Sequence, residues 1–529
     1  MGDNTLNYIY ETTTQEFLSN LDIDNLPDRH EIEHDLLDMI AHTIEVQNID
    51  RAPSRKFKIP TALPNAVIAE ILLKLYPIRR VMWCDSDNNF DLMLYQSEGP
   101  NRGIYVADTL MFQNLIRDYN FDISDKMMST VINILTSKAP TVHINSDPDL
   151  IAVNNGIFNY KTKELIPFTP DIIFTTKSNV NYNKNAKNII IHNDEDNTDW
   201  DVDSWIDELS DDPEIINLIW QVLSAVIRPN VRWNKVVCFY SEQGNNGKGT
   251  LCELMRNICG KDRCAAIPFD KFGHEFMLEQ LTRVSAIIAD ENTTKSFNKE
   301  TGVLKAIITN DFFSINRKFK QPITMQFKGL MVQCLNDLPK FSDKSESLYR
   351  RFLFIPFEKC FTGKERVYIK DDYLNRQEVL EYILFKILNT DYYEFKEPAS
   401  CKRLLNEYKT FNDPIRDFLN DTLPVLKWDL VPYNFLYDLY KSWFKNNCPS
   451  GQMLGSKTFT HDIKEIMRTT PGWTVANDPI STCNRMNEHE PLILEYNLTN
   501  WMNRNYKGED ERKLCNFVRK SSYRGLLRK

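Results

Sequence analysis

Hydrophobic positions change their spacing several times along the chain, and the changes divide it. From Asp22 to Asn48 apolar residues recur at helical spacing through Leu36, Leu37, Ile40 and Ile44, which predicts a helix. Between Val81 and Tyr182 the pattern becomes short β-like runs punctuated by Gly, Asn and Pro, as in VMWCDSDNNFDLMLY, GIYVAD and VNNGIFNYKTKELIPF. The polar stretch Asn183 to Asp203, with its acidic cluster, reads as a solvated linker. A helical segment, Asp207 to Pro229, leads into an α/β region from Trp233 to about Cys360. From about Phe395 the pattern is mostly helical. The expected domains are therefore 1–200, 201–394 and 395–529.

Within the α/β region, KVVCFY is an apolar run of the buried-strand kind, and Leu251, Leu254, Met255 and Ile258 fall at i, i+3, i+4 and i+7 before Gly260. The segment GNNGKGT, Gly244, Asn245, Asn246, Gly247, Lys248, Gly249 and Thr250, thus joins a strand to a helix N-terminus, where backbone N–H groups and the helix dipole collect phosphate oxygens. Gly244 and Gly247 let the backbone come close, and Lys248 reaches the β- and γ-phosphates. Against the pattern G-x-x-x-x-G-K-[ST], Glu242 stands at the first glycine and Gly249 at the hydroxyl, with Thr250 one place late.

Carboxylates follow. The run RVSAIIADEN ends an apolar strand in Asp290-Glu291, 42 residues beyond Lys248. One acid can hold the Mg²⁺ shell while the other polarises water. GLMVQCL ends in Asn336, placed to orient that water, and LYRRFLFIPF sets Arg350 and Arg351 before another apolar strand. ATP and Mg²⁺ are the expected ligands, with Thr250 and Asp290 on the metal.

Composition narrows the class. With 529 residues, 42% hydrophobic and 12% aromatic, the chain can bury sizeable cores. It has no apolar run of membrane length and no signal peptide, and Thr5 lies one place early for the myristoylation pattern at Gly2. Eleven cysteines without a C-x-x-C pair fit reduced thiols and a cytoplasmic setting better than a zinc ribbon. A net charge of −9 and a pI near 5.6 mean that any grip on nucleic acid must be local.

The run Trp233 to Phe357 resembles the ATPase core of superfamily 3 helicases, in the branch of poxvirus-type and phage or plasmid primase–helicases. NGKGT (Asn246 to Thr250), Asp290-Glu291, INRKFKQPI, NDLP (Asn336 to Pro339) and Arg350-Arg351 carry the likeness, and AVNNGIFNYKTKELIPFTPD resembles the domain preceding that core. The resemblance implies an AAA+-like P-loop α/β core, a homo-hexameric ring around DNA and a tolerated Gly249. It also implies a basic hairpin in the channel, with Lys320 as the chief DNA contact and Arg317, Lys318 and Phe319 beside it. Arg351, with Arg350, would reach the neighbour's γ-phosphate in trans. The expected function is an ATP-dependent DNA helicase replicating a phage, plasmid or genomic island in a bacterial host, with any primase on another chain. An origin-binding initiator in which ATP only switches assembly is the alternative.

Two other motifs compete with duller readings. His30-Glu31-Ile32-Glu33-His34 satisfies H-E-x-x-H, but its charged flanks and the lack of a third ligand argue against zinc. Asp85-Ser86-Asp87 resembles a primase metal pair, yet Asn88-Asn89 reads as a turn between strands. Past Phe395, a helix through Leu436, Leu439, Tyr440 and Trp443, a Gly-containing turn, SKTFTHDIKEIMR and TTPGWTV fit either a winged-helix domain or a packing domain. Lys457, Thr458 and His461 would open the DNA-reading helix. The final RKLCNFVRKSSYRGLLRK has seven basic residues in eighteen and no acid, and reads as a solvated terminus or a DNA-contacting arm.

Overall fold

A computed structural model describes every residue except 1, 23–24, 87–88, 293–296, 299–300, 319, 448–452 and 516–517. The chain forms two compact units, one of Met1–Asp337 with Arg350–Cys401 and one of Leu338–Tyr349 with Lys402–Lys529.

The first unit begins with helices Gly2–Asn20 and Arg29–Asn48. The second of these buries Ile32, Leu36, Ile40 and Ile44, an i, i+4 stripe, while Leu37 is only half-buried. The strands Ile78–Met82 and Phe90–Tyr95 pair antiparallel across the turn that carries Asp85 and Ser86; Asp87 lies outside the described residues. A three-stranded antiparallel sheet of Leu150–Val153, Gly156–Asn159 and Glu164–Ile166 follows.

The stretch from 183 to 203 is not a solvated linker. Ile191–Asn193 and Thr198–Trp200 form a hairpin, and Ile191, Trp200 and Val202 are buried in the main core. The acidic residues mark only its tip. Asp196 accepts from the Thr198 amide, so the charge serves the turn while alternate residues face inward.

The centre of the unit is a parallel sheet of β1 (Val236–Tyr240), β2 (Cys264–Ala265), β3 (Ala286–Ala289), β4 (Leu330–Leu335) and β5 (Phe352–Pro356). Its order is β2-β3-β4-β1-β5. All four residues of β3 and all six of β4 are buried, the continuous apolar pattern of strands covered on both faces. Helix α1 (Lys248–Cys259) follows β1 and buries Leu251, Leu254, Met255 and Ile258 completely. Each such side chain contributes about 1.5–3 kcal/mol. Gly260, at φ 106°, stops the helix in a conformation a side chain would strain. Because β1 pairs with β4 and β5, the carboxyl ends of three neighbouring strands open on one edge, where the strand order turns back on itself.

In the second unit, helices Tyr433–Asn447 and Ser456–Arg468 pack with an antiparallel sheet of Leu430–Pro432, Gly525–Arg528 and Trp473–Val475. The last residues supply the central strand. A Cβ at Gly525 would lie 2.1 Å from the Val431 carbonyl oxygen, so only glycine fits this approach. Leu526 is fully buried, and Arg528 donates to the Leu426 carbonyl at 2.6 Å with its guanidinium 4.9 Å above Trp473. Gly525–Arg528 is therefore neither a solvated terminus nor a free arm, while Arg512, Lys513, Arg519, Lys520 and Arg524 before it are exposed. The strand pairs on both sides and buries Gly525 and Leu526, which the segment's high charge concealed. Among the described residues no helix is long and apolar enough to cross a membrane.

Candidate functional site

The loop between β1 and α1 is shaped by two left-handed residues, Asn245 at φ 53° and Gly247 at φ 84°. A Cβ at Gly247 would fall 2.7 Å from Leu209, so glycine is required there by conformation and by space. Gly244 differs, with an ordinary φ and open surroundings. Asn245 shows why a non-glycine holds its conformation. Its carbonyl accepts from the Phe361 amide at 2.7 Å, and its side-chain amide donates to Glu365 at 3.0 Å. The Asn246 side chain folds back, donating to the Gln243 carbonyl at 2.5 Å. The result is a concave run of backbone ending at the N-terminus of α1, whose first amides have no intrahelical acceptor.

Lys248 is the first residue of α1 and only 5% exposed. Its ammonium donates to the Asn336 side-chain oxygen at 3.0 Å, from the end of one strand loop to the end of the adjacent strand. Burial draws Lys248 below its ordinary pKa, opposed by the attraction of Cys334, Asp290 and Cys252. Asp290 follows β3 and sits against Gly249, where a Cβ would come 3.2 Å from one carboxylate oxygen. That contact accounts for glycine at the position where a hydroxyl residue is usual. Thr250 is half-buried on the first turn, and Glu291 is exposed beyond Asp290. Glu242 needs no glycine, since its φ is not positive; the Tyr240 hydroxyl donates to its carboxylate at 3.2 Å. Asn292, which sequence reasoning passed over, ties the strand ends together. It accepts from the Phe269 amide and donates to the Cys334 carbonyl, each at 3.0 Å.

The loop residues, Lys248, Asp290 and Asn336 are thus gathered on one edge. Arg350 and Arg351 are not. Arg351 immediately precedes β5, and its carbonyl accepts from the Val236 amide at the start of β1. Both arginines therefore lie at the amino ends of the parallel strands, the far edge of the sheet from the loop.

The hairpin of Phe312–Arg317 and Lys320–Gln326 belongs to the same unit, with the Lys318 and Thr324 amides donating to Glu279 and Asn89. Arg317 is not available for a phosphate contact: one of its nitrogens lies 2.9 Å from both Asp91 carboxylate oxygens, and its side chain is 8% exposed. A β-bulge between Ile315 and Arg317 turns the side chain toward Asp91, which the strand alternation alone did not reveal. Lys318 and Lys320 are exposed, and Phe319 lies outside the described residues. In the second unit Lys457, Thr458 and His461 are exposed on the first turns of their helix.

The H-E-x-x-H stretch is a helix start. Asp28 accepts from the His30 amide, and Glu31 accepts from the Asp28 amide, a capping box that occupies the glutamate. The His30 and His34 side chains are 81% and 74% exposed.

Three family models match the chain in separate stretches: "D5 N terminal like" over residues 107–217, "Family of unknown function (DUF5906)" over 239–351 and "Poxvirus D5 protein-like" over 411–507. A curated relative, "Putative helicase 121R" of Invertebrate iridescent virus 3, is 21% identical over 372 residues, 61% of this chain and 38% of the relative. The chain thus spans well under half of that relative's length. Among solved structures, two apo structures of the NrS-1 C-terminal region share 16% and 15% identity, each with a TM-score of 0.41. They cover 78% and 73% of this chain, and 87% and 94% of their own. The chain is thus similar to D5-type proteins in two stretches, which flank the core that carries Lys248, Asp290 and Asn336.

Proposed function

We propose that the protein is an ATP-hydrolysing DNA helicase of replication, built on an AAA+-like P-loop core that works as a homo-hexamer. The observation that carries the reading is the convergence at one sheet edge of Lys248 bonded to Asn336 and Asp290 packed on Gly249. These side chains come from three separate motifs, and each has a task in phosphoryl transfer to water.

The residues fit a magnesium nucleotide. The left-handed turn at Asn245 and Gly247 and the free amides of α1 favour phosphate oxygens. Lys248 adds a positive charge that the fold has already buried. Asp290 and the Thr250 hydroxyl would hold Mg²⁺, which when bound neutralises charge on the phosphates. Glu291 would take the proton of the attacking water, and Asn336 would orient that water while sensing the γ-phosphate through its link to Lys248. Arg351, supported by Arg350, would act on the site of the adjacent subunit. Lys320 and Lys318 would meet the DNA backbone in the channel. Lys457 and the exposed start of its helix would serve a winged-helix contact with duplex DNA.

The test is a pair of variants. Lys248→Ala should lose ATP hydrolysis by at least a hundredfold while keeping its fold, because the ammonium bonds only the exposed Asn336 side chain and, at 3.5 Å, the Ser241 carbonyl. Glu291→Gln should still bind ATP but turn over slowly. Wild-type hydrolysis by Lys248→Ala would end the nucleotide reading. Strand displacement on forked DNA then separates a helicase from an initiator in which ATP only switches assembly, since such an initiator would bind DNA without displacing a strand.

A further inference from the structure

Beneath the phosphate loop lies a group that the hydrolytic reading does not use. Cys252 stands one helical turn beyond Lys248 on α1, and Cys334 stands on β4 two residues before Asn336. Their Sγ atoms are 3.2 Å apart, and both side chains are almost completely buried. A carboxylate oxygen of Asp290, just past the end of β3, lies within 4.8 Å of both sulfurs. Among the described residues these three make the only set of His, Cys, Asp or Glu ligand atoms, three or more, that lie within 4.8 Å of one another.

We propose that Cys252, Cys334 and Asp290 form a binding site for a thiophilic divalent cation of the zinc class. The donor set argues for the metal: two thiolates select a soft or borderline cation over magnesium. Tetrahedral coordination with Zn–S bonds of about 2.3 Å needs sulfurs about 3.8 Å apart, so the pair has to open by roughly half an ångström. The carboxylate lies within 4.8 Å of both sulfurs, and Gly249 places no side chain against it.

The charges also close. Binding releases two thiol protons to solvent and leaves two thiolates and one carboxylate, three negative charges. The cation supplies two positive charges and the buried Lys248 ammonium a third. No electron transfer is involved. If Asp290 also serves the magnesium nucleotide, as the nucleotide reading holds, the two occupancies exclude each other. A zinc-class cation would then inhibit hydrolysis by withdrawing a ligand, and that consequence rests on the proposed function.

The full chain, stripped of metal and kept in a phosphine reductant, is titrated with Co²⁺ alone. One equivalent should produce thiolate-to-cobalt charge-transfer absorption and tetrahedral d–d bands, both displaced by Zn²⁺. Cys252→Ser and Cys334→Ser should each weaken Co²⁺ binding at least tenfold and reduce the charge-transfer intensity. Asp290→Asn should keep the charge-transfer band at lower affinity. Far-ultraviolet circular dichroism establishes that each variant is folded, and Cys252→Ala replaces a serine variant that is not. Absence of a charge-transfer band in the wild type, or its full retention in the two cysteine variants, overturns the site. Addition of ATP with Mg²⁺ should lower cobalt occupancy. Indifference to nucleotide overturns the competition, while the cobalt spectrum alone still decides the site.

Discussion

Gly249 and Asp290 are held in contact across two elements, the first turn of α1 and the end of β3. A Cβ built on Gly249 would meet the carboxylate oxygens at 3.2 and 3.4 Å, the shorter of them tighter than most Cβ contacts. Glycine at this position lets the carboxylate approach the helix N-terminus, where its charge is favoured by the dipole.

Gly249→Ala should therefore displace Asp290 by a few tenths of an ångström without disturbing the loop's left-handed residues. If Asp290 holds magnesium, the Mg²⁺ concentration for half-maximal ATP hydrolysis should rise about tenfold, the size of effect expected when a ligand's support is moved. ATP affinity without metal should change little. A Mg²⁺ titration of both proteins checks this, and superimposable curves would remove Asp290 from the metal shell.

Arg351 bears on assembly. It precedes β5, whose first residue Phe352 is level with Val236, while the loop leaves β1 after Tyr240. A five-residue strand at about 3.3 Å per residue puts some 13–16 Å between the arginine and its own loop. A role at the γ-phosphate thus calls for a neighbouring subunit. Mixing Arg351→Ala with Lys248→Ala subunits should recover part of the ATPase activity that each lacks alone, as some interfaces would pair an intact loop with an intact arginine. No recovery at any ratio, with subunit exchange demonstrated, would exclude action in trans.

Much of this arrangement was legible because it depends on local pattern. Continuous apolar runs gave β1, β3, β4 and β5, and the polar residues after β3 and β4, with the glycine-containing loop after β1, marked the edge where Lys248, Asp290 and Asn336 meet. What sequence hid was long-range. Nothing near Arg317 announces Asp91, 226 positions away. The acidic tip at Asp194 to Asp196 masked the buried Ile191 and Trp200, and the charge of the last eighteen residues masked a strand. Cys252 and Cys334 were visible only as scattered thiols, although their offsets from Lys248 and Asn336 point both toward the same edge.

The final strand gives a direct test of that last reversal. Deleting Gly525 to Lys529 removes the central strand of the sheet in the second unit and the buried Leu526. The deletion should unfold that unit, seen as protease sensitivity across 402–524 and loss of its melting transition. A free arm would instead leave folding intact and reduce only the salt-dependent part of DNA binding.

Lys177 provides a pH test in the first unit. It is buried, and it donates to the Asn154 side chain at 3.0 Å. Burial, reinforced by repulsion from Arg263 and Arg102, lowers its pKa to about 8 from an ordinary 10.5. Between those values the unfolded chain binds a proton that the folded chain does not, so this residue makes stability rise with pH across pH 8 to 10.5. Lys177→Met should then melt above the wild type at pH 7, by the equivalent of about 1–2 kcal/mol after loss of the hydrogen bond. The advantage should shrink toward pH 10. A variant that melts lower at every pH would mean that the lysine is worth more as a hydrogen-bond donor than it costs as a buried charge.

Arg317 and Lys320 sit three residues apart on the same hairpin and should behave oppositely. Arg317 pairs with Asp91, which also accepts from the Trp83 indole at 2.9 Å, and the two charged side chains are 8% and 16% exposed. Arg317→Ala leaves a largely buried carboxylate without its cation, a loss of about 3 kcal/mol. That should appear as a lower melting temperature whether or not DNA is present. Lys320 is exposed, so Lys320→Ala should stay within about 0.5 kcal/mol of wild type in stability. Its basal ATPase should be unchanged, since the hairpin tip is outside the phosphate site. DNA stimulation and strand displacement should fall at least tenfold if the lysine meets the DNA backbone in the ring. Full strand displacement by Lys320→Ala would take the hairpin out of the DNA path, and a stable Arg317→Ala that failed only on DNA would return that arginine to it.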